Sequence, residues 1–472
     1  MPTRRSSRAA ALAAALLLTT AGCSLLSDDD PDDPAAPTAS PSGVTITDAP
    51  PDALQGIGTA LDRRADAVRR GDERAFLAGL AKGDGTDPGL LDHQRTYFAN
   101  LRQLPLAVFD YTVDPAGLVL EGEDYWVVVE LAMQLEGFDT EPVVTRDRFR
   151  FSPTGRPGRF RLSSVTDLRW EAENGVQPQP WDDGEVVVTR GVGVLGVFDA
   201  GSVRASDKLL ASVQRGIADV AGVVPSSWSQ SVVVYALSNT AFLATLPDLP
   251  GGDPTGVDGV AFPVFSAPDG PDAQLAGTRF VLHPRMLDEA GRARDRLVRH
   301  ELTHVAIGEG DDLAPVWLSE GLAEYVSVQA LPPEKRTISE AAIEAARAGV
   351  TDMPPDDAFN DAATPARASA NYGIAWFACE YLASAYGEVT LWQLLSVLDE
   401  PDVDVDSILL SQVGINVRTL ARKAGKLILA TYDAPVVEPT RGTRRRTRRC
   451  RSWPRRARGS PRRRTRRPAA SR

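Results

Sequence analysis

Residues 300–304 read His300-Glu301-Leu302-Thr303-His304, and this stretch decides the fold of the region around it. Two histidines at positions i and i+4 lie on one face of an α-helix, about 6 Å apart, so both imidazoles can bind a single metal ion. The whole chain contains four histidines, which makes a chance pair around a glutamate uncommon. Glu301 would then lie beside the ion without binding it, in position to take a proton from an attacking water.

A third ligand is expected downstream, because a catalytic zinc ion usually has three protein ligands and one open position. Glu320 follows His304 by sixteen positions and lies in a second apolar, helix-periodic stretch. Pro315 stands where that helix can begin. The alternative third ligand, a histidine six residues after His304, is excluded because that position is Gly310. Glu324 shares a helix face with Glu320, so one carboxylate can bind the ion while the other accepts a hydrogen bond from a ligand imidazole.

These motifs resemble those of the gluzincin metallopeptidases, within the peptidase MA-like superfamily. In that family a His-Glu-x-x-His helix is followed by Trp-Leu-x-Glu-Gly, and here residues 317–321 read Trp-Leu-Ser-Glu-Gly. The resemblance implies one Zn²⁺ per chain and the hydrolysis of peptide bonds in a peptide or protein substrate. It implies these roles: His300, His304 and Glu320 as zinc ligands, Glu301 as general base, and Glu324 as the acid that supports a ligand.

Several features of the reaction stay open at this stage. The sequence lacks the Gly-x-Met-Glu-Asn segment of the related aminopeptidases, which favours an endopeptidase. A second donor usually helps the metal to stabilise the oxyanion; Tyr372 is the first candidate and His283 the second. The strand that would pair with the substrate backbone is residues 259–262 or 278–282. The alternative function is a catalytically silent, zinc-bearing surface lipoprotein that acts as a binding module.

The N-terminus predicts export. Arginines precede an apolar run at residues 9–18 that is too short to span a bilayer, as in a signal peptide of residues 1–22. Thr20-Ala21-Gly22-Cys23 resembles a bacterial lipobox, which implies lipidation of Cys23 and a membrane anchor at the outer face of the cytoplasmic membrane. Ordinary secretion is the main alternative, and the Arg4-Arg5 pair suggests twin-arginine export as a further one.

Composition separates both ends of the chain from the folded part. Residues 23–49, rich in Asp, Pro, Ala and Ser, are predicted to be a disordered tether. Residues 441–472 hold sixteen arginines and no acidic residue, and are also predicted to be disordered. This tail either binds anionic wall polymer or lipid headgroups, or arises from a GC-rich gene read out of frame. Without those sixteen charges the formal charge of −11 becomes −27, so a nucleic-acid partner is not expected.

Periodicity predicts an α+β protein with two modules. The first module, residues 50–178, has helices followed by antiparallel strands and is similar to cystatin-like or nuclear-transport-factor-like folds. The second, residues 184–435, has a small sheet, the His-Glu-x-x-His helix and a helical lobe, which is the gluzincin layout. Cys379 is expected to be a small core residue. The predicted strands are residues 107–113, 125–134, 143–151, 160–168, 184–198, 231–237, 259–265 and 278–283, and the main helices are residues 54–68, 90–104, 206–220, 288–307, 316–330, 337–348, 366–386, 390–398, 406–410 and 417–432.

Overall fold

The computed structural model describes residues 44–45, 51–83, 85–246, 249, 253–267, 273–289, 291–360 and 364–433. The predicted signal peptide, Cys23, most of the predicted tether and the Arg-rich tail lie outside these residues. Among the described residues, no helix has the length and apolar character needed to cross a membrane.

The first half of the chain forms an antiparallel sheet whose five strands follow one another in sequence order. The apolar positions of the first helix recur every three or four residues, and Ile57, Leu61, Ala65 and Val68 are buried against this sheet. The strands are β1 (Val44–Thr45), β2 (Leu106–Glu121), β3 (Asp124–Leu135), β4 (Val143–Pro153) and β5 (Phe160–Ser164), and the helices are α1 (Pro51–Arg70), α2 (Glu73–Ala78), α3 (Leu90–Leu101), α4 (Leu168–Asn174) and α5 (Pro180–Asp183).

Several boundaries in this half differ from the predictions; for example, β2 continues to Glu121 instead of ending at residue 113. The first sheet begins with β1, inside the range predicted as a tether. The last strand stops at Ser164 instead of residue 168, because Asp167 accepts a hydrogen bond from the Trp170 N–H and so starts α4.

The second sheet has the strand order β6-β7-β8-β10-β9. Residues 184–198 were expected to form a single strand, but they form a hairpin, because Gly193 has a φ of +70° and turns the chain back. The three inner strands run parallel, and α6 crosses over between β7 and β8. The elements are β6 (Val187–Gly191), β7 (Val194–Phe198), α6 (Ser206–Ala221), β8 (Val232–Ala236), β9 (Gly259–Phe265) and β10 (Leu275–Leu282).

The second sheet is buried on both faces. Val232 and Val234 pack into a core formed with α6 and the helices that follow the sheet. Val233 and Tyr235, which alternate with them, pack into a different core that is shared with the first sheet. This explains why the strand reads as a continuous apolar run instead of an alternating one. The first sheet therefore covers the back of the second, within one compact unit.

The described residues from 285 to 433 form helices joined by loops, in agreement with the helices predicted for this region. Cys379 is completely buried in this lobe, as expected of a small core residue. The helices are α7 (Arg285–Asp288), α8 (Arg292–Ile307), α9 (Val316–Gln329), α10 (Glu340–Ala348), α11 (Asp357–Asn360), α12 (Pro365–Tyr386), α13 (Glu388–Leu398), α14 (Val405–Val413) and α15 (Val417–Tyr432). The mixed α+β class is confirmed.

Candidate metal site and cleft

Helix α8 carries both histidines of the central motif. The rings of His300 and His304 lie with their centroids 5.1 Å apart, because the i, i+4 spacing puts them on one face of the helix. That face points toward the cleft beside β9, while Val298 and Leu302 on the opposite side are completely buried in the core. The helix ends at Gly308, whose φ of +64° favours glycine.

Helix α9 brings Glu320 to the two imidazoles. Its Oε2 lies 3.2 Å from Nε2 of His300 and 3.6 Å from Nε2 of His304. The next residue, Gly321, allows this approach: a Cβ there would lie 2.6 Å from the carbonyl oxygen of Ala375, on α12. The close packing of α9 on α12 thus determines where the carboxylate stands.

The chemistry of this cluster fits a divalent metal ion. The ligand atoms of His300, His304 and Glu320 all lie within 4.8 Å of one another. Within the described part of the chain, Oε2 of Glu320 is buried and makes no hydrogen bond, which is unusual for a buried carboxylate oxygen. Two imidazoles and one carboxylate are a common donor set for a zinc ion with an open position.

Electrostatics supports the same interpretation. Burial by itself would raise the pKa of Glu320, but the two neighbouring imidazoles outweigh burial and hold this pKa far below its usual value. Glu320 is therefore ionised and is available as a metal ligand.

Glu301 lies beside the cluster, held by the backbone of the neighbouring strand. Its side chain is 5 % exposed, and its Oε2 accepts a hydrogen bond from the Ala261 N–H at 2.8 Å. Burial raises the pKa of Glu301, while the positive charge of a protonated His300 or His304 would lower it. A buried carboxylate with a raised pKa is suited to accept and return a proton.

A further carboxylate lies near Nδ1 of each imidazole, on the side of the ring away from Glu320. Oε1 of Glu324 lies 3.6 Å from Nδ1 of His300, as the sequence predicts for this residue. Arg296 holds Glu324 in place, donating to its Oε2 at 2.6 Å. Asp311 occupies the corresponding place for His304, with Oδ2 3.5 Å from its Nδ1.

Asp311 and Arg296 were not predicted from the sequence. A hydrogen bond from the Ser319 hydroxyl holds the Asp311 carboxylate. Asp311 lies in an acidic loop after α8, where nothing marks one carboxylate above its neighbours. The position of Arg296 near the site could have been predicted, because it lies four residues before His300 and therefore on the same helix face.

Of the two candidate oxyanion donors, the structure brings Tyr372 to the site. Its ring centroid lies 6.2 Å from that of His300, and it lines the cleft. Burial, reinforced by the carboxylates of Glu320, Glu301 and Glu324, raises the pKa of Tyr372 well above its usual value, so its hydroxyl stays protonated.

His283 lies elsewhere among the described residues. It follows the end of β10, and its Nδ1 accepts a hydrogen bond from the Arg285 N–H at 3.1 Å. It is not among the residues that line the two cavities next to the metal cluster.

A cleft passes over the cluster. A cavity of about 400 Å³ lies on the side of β9 and Glu309, and one of about 900 Å³ lies on the side of Arg292 and Glu334. Both cavities are lined by His300 and Glu301, so ligand can approach the cluster from two directions. None of the described residues of the first sheet lines either cavity.

Among the described strands, β9 is at the edge of the second sheet, and it runs along this cleft. Backbone hydrogen bonds at both ends of β9 show that the N–H and C=O groups of its even-numbered residues point toward β10. The N–H and C=O groups of the odd-numbered residues therefore point toward the cleft. Of these, Ala261 donates its N–H to Glu301, and Pro263 has no N–H. The middle of the edge therefore presents carbonyl acceptors without free N–H donors.

The chain matches no protein-family model, and no curated protein is significantly similar to it.

Proposed function

We propose that this protein is a zinc-dependent peptidase, with the second sheet, α8 and the helical lobe as its gluzincin-like catalytic module. The observation that carries the proposal is the buried Oε2 of Glu320, which makes no hydrogen bond among the described residues and lies between the imidazoles of His300 and His304. A cluster that served only as a structural ion pair would be expected to satisfy this oxygen with a hydrogen bond. The first sheet would be an accessory module of the cystatin-like or nuclear-transport-factor-like kind.

Each residue of the cluster has a chemical role in this proposal. His300, His304 and Glu320 would hold the zinc, which supplies Lewis acidity toward a carbonyl oxygen and lowers the pKa of a water to about 7. Glu301 takes the proton of the attacking water and delivers it to the leaving amine. Tyr372 keeps its proton and donates a hydrogen bond to the developing oxyanion.

The edge of β9 supports an extended peptide as the substrate. A peptide that adds to a sheet edge makes main-chain hydrogen bonds. Because Ala261 and Pro263 offer acceptors toward the cleft, the substrate N–H groups would donate to their carbonyl oxygens. A cleft that extends to both sides of the cluster accommodates chain on both sides of the cut bond, as in an endopeptidase.

The export signal predicted for residues 1–22 and the lipid anchor at Cys23 would place this activity at the outer face of the cytoplasmic membrane. The Arg-rich tail has no role in the proposed reaction.

The proposal is tested by metal analysis together with peptide cleavage. Purified protein should contain one zinc per chain by mass spectrometry, and it should cleave a mixed peptide library unless a chelator is present. Glu301→Gln should retain zinc, since the new amide oxygen can still accept from Ala261. It should lower kcat by about 10²- to 10⁴-fold through the loss of a general base.

Glu344→Gln is the matched control, because Glu344 is exposed on α10 and lines neither cavity. It should cleave like the original protein. Full zinc occupancy without any cleavage would instead identify the silent binding module. Protein without stoichiometric metal, or undiminished cleavage by Glu301→Gln, would refute the peptidase.

A further inference from the structure

A second, separate cavity of about 750 Å³ lies in the first half of the chain. It is bounded by α1, the end of α2 and the hairpin of β4 and β5, and its floor includes the buried Phe76 and Phe151. Backbone hydrogen bonds fasten one wall to the other: the Leu162 N–H donates to the Gly79 carbonyl at 3.0 Å, and the Ala81 N–H donates to the Leu162 carbonyl at 2.8 Å. The cavity is therefore part of the fold and does not depend on a mobile side chain.

The rim of this cavity is strongly basic. Five arginines line it and no acidic residue does: Arg63, Arg64, Arg156, Arg159 and Arg161.

Four of the five arginines have exposed side chains. Arg63, Arg156, Arg159 and Arg161 are exposed, and within the described part of the chain their side chains form no ion pair or hydrogen bond. The whole chain has a formal charge of −11, and several exposed arginines elsewhere, such as Arg69, pair with carboxylates. Positive charge is thus concentrated around one concave surface.

The fifth arginine, Arg64, is buried in the wall between this cavity and a neighbouring one of about 330 Å³. It is 7 % exposed, and it donates to the oxygens of Tyr111 and Gln94, which line the neighbouring cavity, while its Cζ lies 3.8 Å above the ring of Phe76. The neighbouring cavity also has acidic residues in its lining, so the case for an anion rests on the four exposed arginines and not on Arg64.

We propose that this cavity binds a polyvalent, phosphate-bearing anion. Guanidinium groups bind phosphate oxygens through paired, charge-assisted hydrogen bonds, and several arginines around one cavity match an anion with several charges. The phosphate belongs either to a soluble molecule or to a lipid headgroup. The site is independent of the metal cluster and does not rest on the proposed peptidase activity.

The test measures binding of two probes to the full chain. Pyrophosphate titrated by calorimetry reports a soluble anion, and sedimentation with phosphatidylglycerol vesicles, compared with phosphatidylcholine vesicles, reports a headgroup. The Arg159→Glu/Arg161→Glu double variant should weaken binding of the active probe about 100-fold or more, since each charge-assisted contact contributes about tenfold or more.

Arg367→Glu is the control, because Arg367 is also exposed and its side chain is also unpaired in the described part, but it lies at the start of α12. The Arg-rich tail is present in all three proteins, so a difference between them reports the cavity. Circular dichroism and zinc content should be the same in all three. Equal binding by the double variant and the control, or no binding of either probe, would overturn the proposal; a loss confined to the double variant supports it.

Discussion

Replacing Asp139 with asparagine should weaken the junction between the two sheets. Asp139 follows β3 of the first sheet, and its Oδ1 lies 2.6 Å from Nη1 of Arg279, in β10 of the second. The two side chains are 0 % and 3 % exposed, respectively. Oδ2 of Asp139 also accepts the Leu135 N–H at 2.8 Å, which fixes the carboxylate in the loop.

The expected loss of stability follows from this geometry. Asparagine is nearly the same size and can still accept the Leu135 N–H, so packing and the loop are preserved. The guanidinium of Arg279 then stays buried without an opposite charge. Breaking one partner of such a buried pair lowers the free energy of unfolding by about 3–5 kcal/mol.

Urea unfolding followed by tryptophan fluorescence and far-UV circular dichroism measures this loss. Asp110→Asn is the matched control: Asp110 pairs with Arg69, but the two side chains are 58 % and 41 % exposed, so removing that pair should cost less than about 1 kcal/mol. Because the sheets share a core, both probes should follow a single transition in the unmodified protein. A loss below about 1 kcal/mol for Asp139→Asn, or two separate transitions in the unmodified protein, would refute the reasoning.

Three further predictions concern glycine packing, pH and metal binding. Gly321→Ala should lower the free energy of unfolding by about 1–3 kcal/mol, because the new Cβ would lie 2.6 Å from the carbonyl oxygen of Ala375. Gly58→Ala on α1 is the control: its Cβ would have nothing within 4 Å, so this change should raise the free energy of unfolding by about 0.5–1 kcal/mol. Thermal unfolding of both variants measures the difference. Burial raises the pKa of Asp182 to about 7, so the folded state holds a proton that the unfolded chain loses near pH 4. The contribution of Asp182 to stability should therefore be greatest below about pH 4 and fall by up to about 4 kcal/mol as pH rises through 7, and Asp182→Asn should remove this part of the pH dependence of urea unfolding. Asp311→Asn should weaken zinc binding about 10- to 100-fold in a chelator competition, because the support of His304 is reduced; an unchanged affinity would show that Asp311 does not position this ligand.

The cluster could be predicted from the sequence because its residue types are rare and their spacing is tied to helix geometry. His300 and His304 need only one regular helix to come together, and the helix is evident from periodicity. To predict the position of Glu320, one must also know that a second helix packs against the first. The Trp-Leu-Ser-Glu-Gly motif indicates this packing only through its resemblance to a known family. The structure brings all three residues together.

Other parts of the site had no signature in the sequence. The contact of Glu301 with Ala261 is made by a backbone N–H, which every residue except proline possesses, so no residue type marks it. Asp311 is one of several acidic residues in its loop, and its role depends on how α9 places Ser319.

The packing of the two sheets against each other could not be predicted from the sequence either. The apolar run at residues 232–236 predicts a strand buried on both faces, but the run alone does not say which elements cover it. The cover for Tyr235 includes Trp181, more than fifty positions earlier, whose ring centroid lies 5.8 Å from that of Tyr235. Pairings over such separations depend on the complete three-dimensional arrangement and not on local pattern.

The lack of donors at the centre of the β9 edge has a consequence for solubility. An open strand edge beside a cleft normally invites a second copy of the chain to add to the sheet, the first step toward aggregation. Such an addition of a whole strand needs alternating donors and acceptors on both partners, whereas a short peptide can bind by donating its own N–H groups. With the N–H of Ala261 directed to Glu301 and none on Pro263, a copy of β9 would find no donors at the centre of the edge. The edge can thus stay open to a ligand without pairing with a second copy of the chain.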